Sequence, residues 1–341
     1  MKVVVVGASG YVGSRLVPEL LRRGHDVVAT YNRALPTRFP WGEDVTWHQL
    51  DVLDESNAVA TLEGADAVCY LVHGLGDKDF MQRDRQAADT MRHAVGAAGV
   101  SRLVYLSGIV PDLPVEELSD HLLSRLEVEE ILSAADASVL TLRASMVVGA
   151  GSTSFEVMRQ LSSRLPLVTT VPAWMAGTVI QPVAVSDTVH YLAEALERVD
   201  IVGHLDVVGP DQVTYAALLR TYAAVSGLLR VQVPVWLVPV DAVARVAGLL
   251  VDVPSSLVES LIPSLGHDMV ADRDAAVALG SPEGGATSLE EAIRRSLAPD
   301  PGLDGAAVGA DPMTPSAGDP SWSRHRSAFD IVRRAAGLGG A

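Results

Sequence analysis

Near the start of this 341-residue chain, Gly7-Ala8-Ser9-Gly10-Tyr11-Val12-Gly13 has the spacing Gly-x-x-Gly-x-x-Gly. The chemistry that spacing suits is pyrophosphate binding. One glycine allows a tight turn, the second lets phosphates approach the backbone, and the third lets a helix pack closely on a strand with its N-terminus facing the anion. Gly7, Ser9, Gly10, Tyr11, Val12 and Gly13 are therefore candidate cofactor contacts. The next apolar run ends in Thr30-Tyr31-Asn32-Arg33. A carboxylate there would bond the ribose 2′-hydroxyl of NAD, whereas a guanidinium meets the 2′-phosphate of NADP. Asn32 and Arg33 thus predict NADP(H), with NAD(H) as the alternative if Arg33 is an ordinary solvated side chain. Asp51 and Val52 follow the third apolar run, where the carboxylate either accepts from the adenine amino group or caps a helix from Glu55 onward. His73 lies in the turn Leu71-Val72-His73-Gly74-Leu75-Gly76, which passes the nicotinamide, so Val72, His73 and Gly74 join the candidate contacts. An imidazole titrating near ~6.5 suits proton transfer at neutral pH; it equally suits capping its own turn. No Cys/His or paired-carboxylate cluster has metal-ligand spacing, so no metal is expected.

The elements that must hold these residues read as alternating strands and helices. Lys2 to Val6 is a continuous β-branched run, the pattern of a parallel strand covered on both faces, and a helix from Ser14 to Arg23 follows the glycine loop. Further strand signals stand at Val27 to Thr30, Val45 to Leu50, Ala67 to Val72, Leu103 to Leu106, Val139 to Leu142 and Leu205 to Val208. The fold class expected is α/β, a Rossmann-type doubly wound parallel sheet with a smaller C-terminal substrate lobe. Residues 1–150 form the dinucleotide-binding core, completed by about 179–208; residues 151–178 and 209–297 form the lobe. Residues 298–341 read as a tail, largely irregular and poorly ordered, with one short helix at Ser327 to Ala336.

Composition narrows the function classes. Hydrophobic residues make up 48% and the formal net charge is −16, which argues against a nucleic-acid surface. Cys69, the single cysteine, sits in an apolar run and reads as core. With no signal-peptide pattern at Met1, the expected location is cytoplasmic. The apolar stretch Val231 to Val253, broken by Pro234, Pro239, Asp241, Arg245 and Asp252, reads as buried or substrate-lining helix and not as a membrane span.

The blocks Gly7 to Gly13, Asp51-Val52, Tyr70 to Gly74, Val104-Tyr105-Leu106-Ser107-Gly108, Leu142-Arg143-Ala144-Ser145 and Gln181 to Asp187 occur in one order. In this the chain resembles the extended and atypical short-chain dehydrogenase/reductases, most of all their NmrA-like, NAD(P)H-binding branch, over roughly residues 1 to 295. The resemblance implies a catalytic serine on the fifth strand, matched by Ser107, and a Tyr-x-x-x-Lys on the following helix. That pair is missing: none of the seven tyrosines has lysine four residues on, and the two lysines are Lys2 and Lys78. In its place stands His121-Leu122-Leu123-Ser124-Arg125. Either His121 is the proton donor with Arg125 supplying the charge near the ribose, or the proton comes from His73 or water, or the site binds NADP(H) without chemistry. Ser107, in turn, is either catalytic or a strand-end hydroxyl bonded to backbone.

Three functions are consistent with these features. The leading one is an NADP(H)-dependent oxidoreductase reducing a carbonyl or conjugated double bond of a small, apolar molecule lined by Trp174, Met175, Trp236, Leu237 and Val240 to Val251. The second is a non-catalytic NADP(H)-binding redox sensor or scaffold of the NmrA-like kind. The third is an NAD-dependent nucleotide-sugar epimerase or dehydratase.

Overall fold

A computed structural model describes residues 1–74, 79–164, 168–236, 238–299, 307–316 and 318–323. The chain runs β1 (Lys2–Val6), α1 (Gly13–Arg22), β2 (Asp26–Tyr31), β3 (Thr46–Gln49), α2 (Glu55–Leu62), β4 (Ala67–Tyr70), α3 (Phe80–Ala97), β5 (Arg102–Gly108), α4 (Asp120–Ser133) and β6 (Ser138–Ala144). It continues through β7 (Val147–Val148), α5 (Thr153–Arg164), β8 (Val168–Pro172), α6 (Ala173–Ala176), β9 (Val179–Ile180), β10 (Val183–Ala184), α7 (Val185–Glu197) and β11 (Gly203–Val207). The remainder is β12 (Val213–Thr214), α8 (Tyr215–Val225), β13 (Val231–Val235), α9 (Val240–Leu250), α10 (Ser255–Leu261), α11 (Ala275–Leu279) and α12 (Leu289–Ser296).

Seven of these strands form one parallel sheet in the order β11-β6-β5-β4-β1-β2-β3. Its centre is β1, whose Val3, Val4, Val5 and Val6 are wholly buried because each face carries a helical layer. Val3 and Val5 pack toward Leu16, Val17 and Leu20 of α1 and toward α7, while Val4 and Val6 pack toward α2 and α3. This is the period of two that a strand imposes on its side chains. Cys69, on β4, is buried on the α1 side, and burial pushes its thiol pKa up. The strand order reverses between β1 and β4, so the turns following those two strands open into one crevice, where doubly wound sheets take ligands.

Beyond the sheet, β8 and β13 pair in parallel, and α5, α9 and α10 enclose a second small core around Ala244, Ala247, Val251, Val258 and Ile262. Two expectations change here. Val231 to Val253 is no single buried helix: Pro234 and Pro239 divide it into β13 and α9, and both elements carry exposed apolar residues, among them Val231 at 64% and Leu249 at 85%. The stretch expected to be a poorly ordered tail is irregular in backbone but docked between residues 307 and 323, with Met313 buried and Asp319 paired to Arg15 of α1. Leu75, Gly76, Lys78, Leu237 and the helix expected at Ser327 to Ala336 lie outside the described residues. Among the described residues no helix is long and apolar enough to cross a membrane.

Candidate active site

The glycine loop is built so that no side chain fits inside it. Gly7 takes φ +94°, the left-handed region. A Cβ on Gly13 would stand 2.3 Å from Gly7 O and 2.8 Å from Ala8 Cα. The amide of Gly10 donates to Gly7 O at 3.0 Å and closes the turn. Helix α1 begins at Val12 with no side-chain cap and no acidic residue in its first turn, so its first N–H groups and the positive end of its dipole have no protein anion to meet. Those features fit a pyrophosphate. The Tyr11 side chain turns inward: its hydroxyl is buried without a partner among the described residues, and its ring lies 4.2 Å from the Arg15 guanidinium.

At the outer edge, Asn32 and Arg33 are exposed, and Arg33 makes no ion pair among the described residues. Asp51 accepts from Leu53 N at 3.0 Å and so closes its own turn, while the cap of α2 is Asp54, which accepts from Asn57 N at 3.0 Å. The helix-cap alternative for Asp51 is thereby removed. Val72 backs the loop, with its Cγ2 3.3 Å from a Cβ position on Gly7.

Opposite the loop, three elements meet. Asp84 of α3, almost fully buried, accepts from Gly74 N at 2.7 Å and from Ser124 Oγ at 3.1 Å, tying the turn after β4 to α4. Burial raises its carboxyl pKa against those hydrogen bonds. Arg125 of α4 donates to Leu106 O at 3.1 Å and Tyr105 Oη at 3.4 Å, which pins its charge at the end of β5. Next to that anchor, Ser107 Oγ is buried and has no partner among the described residues; it does not make the backbone bond that was its alternative. A buried hydroxyl left so costs about 1–3 kcal/mol, which a hydrogen bond to a ligand would recover. His73, Phe80, Asp84, His121, Ser124 and Arg125 line one small depression.

Its electrostatics bear on His121 as the candidate proton donor. Burial, and then the adjacent Arg125 charge, push the His121 imidazole down to about 3. His73 is also lowered, by burial first and then by the charges of Arg125 and His121. These shifts favour the neutral form of both rings at pH 7, in which each imidazole has one N–H donor and one acceptor nitrogen. A depressed histidine pKa makes folding acid-sensitive: the unfolded chain takes up the proton near 6.5 and the folded one only near 3, so stability held above 6.5 is lost as pH falls through that window. His121→Asn is expected to flatten the decline. Urea midpoints measured from pH 7 to pH 4 check it, and an unchanged slope would show that His121 titrates normally.

Of the residues that sequence reasoning singled out, His73, His121 and Arg125 line one depression, and Ser107 follows the Leu106 carbonyl that anchors Arg125. Sequence reasoning missed Asp84, Ser124 and Arg15. Asp84 and Ser124 each carry one polar group on a helix, with no spacing signal to single them out. Among the described residues no group of three His, Cys, Asp or Glu side chains could hold a metal ion.

An uncharacterized protein of Mycobacterium tuberculosis is 27% identical over 236 residues, which are 69% of this chain and 24% of that protein, so the chain spans about a quarter of its length. A 3 beta-hydroxysteroid dehydrogenase/Delta 5-->4-isomerase of the same species is 31% identical over 117 residues, 31% of each chain. The crystal structure of UDP-glucose 4-epimerase from Bifidobacterium longum in complex with NAD+ and UDP superposes with a TM-score of 0.63 at 15% identity, covering 87% of this chain and 97% of that one, a likeness of fold. The family model for the NAD dependent epimerase/dehydratase family matches residues 3–208, and the chain belongs to that family.

Proposed function

We propose that the protein binds a nicotinamide dinucleotide in the glycine-loop crevice and oxidises or reduces a secondary-alcohol or carbonyl carbon of a small molecule. The observation that carries this is Ser107, a buried and unpartnered hydroxyl next to the carbonyl that anchors Arg125. When bound, the nicotinamide supplies the hydride acceptor or donor. Ser107 holds the substrate oxygen, Arg125 stabilises negative charge developing on it, and neutral His121 or His73 receives or relays its proton. Family membership, together with the neighbour holding NAD+ and UDP, supports an epimerase- or dehydratase-type substrate over simple enone reduction.

Incubation with NAD+ or NADP+ and a panel of UDP-sugars, hydroxysteroids and simple secondary alcohols tests this. Nicotinamide absorbance reports net redox, and proton NMR reports epimerised product. Turnover is expected to fall about a hundredfold in Ser107→Ala and in Arg125→Met. The absent Tyr-x-x-x-Lys favours a second reading, a dinucleotide-binding sensor of the NmrA-like kind. Tight binding with no turnover across the panel would decide for it.

Unpaired Arg33 supports NADP(H) as the preferred cofactor. Arg33→Asp should weaken NADPH binding about 10- to 100-fold more than NADH binding, the worth of one charge-assisted contact. Equal losses in titration calorimetry would remove the assignment.

A further inference from the structure

Helices α3 and α4 pack side by side on the sheet. Over most of their length they meet through carbon: Ala88, Met91 and Val95 of α3 and Val128 and Leu132 of α4 share one apolar cluster. Followed toward the crevice, the same stripes reach Asp84, four residues before Ala88, and Ser124, four before Val128. Both are buried where the period of the helix asks for an aliphatic side chain. The two polar residues meet, Ser124 Oγ donating to Asp84 Oδ2 at 3.1 Å. Stability alone does not call for such a contact, because a buried carboxylate is costly and a well-packed apolar pair of similar volume holds two helices as well or better. Departures of this kind from an otherwise consistent pattern gather at functional sites, where geometry decides the residue.

The other carboxylate oxygen of Asp84 accepts from Gly74 N at 2.7 Å. Gly74 directly follows His73, and Ser124 stands between His121 and Arg125. One side chain on α3 therefore joins the turn after β4 to α4, the two segments that bring the histidines and Arg125 to one depression. The start of α4 has a separate hold, since Ser119 Oγ, its N-cap, lies 2.9 Å from Ser264 Oγ of the lobe. The Asp84 bond adds a second hold more than one turn further along, which fixes the rotation of α4 about its axis and so the direction of His121 and Arg125.

We propose that Asp84 is a positioning residue for the reaction proposed above: by holding Gly74 N and Ser124 Oγ together, its carboxylate sets His73 against His121 and Arg125. The inference rests on that reaction. Asparagine can rebuild both bonds at the same shape, its carbonyl oxygen accepting from Gly74 N and its amide donating to Ser124 Oγ, whereas leucine removes both. With a substrate that the parent turns over, Asp84→Asn should keep kcat within about threefold. Asp84→Leu should lose about 10- to 100-fold in kcat, as a small misplacement of reacting groups does, with the KM for the dinucleotide within about threefold. Ser124→Ala, which frees only the helix, should lose about 3- to 10-fold, the worth of one hydrogen bond, and it serves if the leucine variant does not fold. Amide hydrogen exchange followed by NMR reads the same hold without substrate: Gly74 N–H should be protected in the parent and in Asp84→Asn, and in Asp84→Leu should exchange at least about tenfold faster. Four results would each overturn the role: equal kcat losses in the two Asp84 variants, a loss carried in KM with kcat intact, full activity in both Asp84→Leu and Ser124→Ala, or Gly74 exchange unchanged by leucine. These strike Asp84 alone; a parent that turns over no substrate overturns the reaction, and this role with it.

Discussion

Replacing Asp319 by alanine is expected to cost about 3–5 kcal/mol of folding stability, because it leaves the Arg15 guanidinium charged and unmatched in the interior. The pair is bidentate, at 2.8 and 3.1 Å, with side-chain exposures of 4% and 1%, so solvent cannot make good the loss. Arg15 also donates to Pro312 O, Ala150 O and Thr314 O, and Asp319 accepts from Ser316 N. The single substitution therefore loosens the whole docked stretch. An added Cβ at Gly151 would lie 2.4 Å from the Asp319 carboxyl carbon, so nothing nearby can slide in to fill the space without rearrangement. The double variant Arg15→Met with Asp319→Leu should recover much of the loss, since apolar replacement of a buried pair is often neutral. Urea unfolding of the three proteins measures both effects. An Asp319→Ala protein within about 1 kcal/mol of the parent would mean that the pair is worth no more than a surface one.

Gly13→Ala is expected to weaken dinucleotide binding by about 10- to 100-fold, from an overpacking cost of about 1–3 kcal/mol. The new methyl would overlap Gly7 O and Ala8 Cα, both backbone atoms. Ala8 and the α1 residues Leu16 and Val17 are fully buried, so the sheet and helix cannot part to relieve the overlap. What yields is the turn between them, and the turn is the proposed cofactor site. Titration of NADPH and NADH against the variant reads the loss. A drop in melting temperature with unaltered affinity would instead assign the clash to the core.

The parallel sheet and its crevice were legible because β1 is a bare β-branched run and the glycines have fixed spacing, both local patterns. Arg33, Ser107, His121 and Arg125 were legible as positions. Their chemistry was less so, since the displacement of the His121 pKa comes from burial and from the side chain one helical turn away. Asp84 was invisible: α3 also carries Asp89, which is solvent-exposed and bound to Arg92, and only tertiary packing separates the two. Docking of the 307–323 stretch failed to register for the same reason. Its Pro, Gly and Asp content describes a chain without a core of its own, and its partner Arg15 is 304 residues distant.

That separation bears on how the protein comes into being. Arg15 is synthesised 304 residues before Asp319. At about 5–20 residues per second, the arginine waits roughly 15–60 seconds for its counter-charge. During that interval the Arg15 guanidinium on α1 lacks the carboxylate that neutralises it in the folded protein.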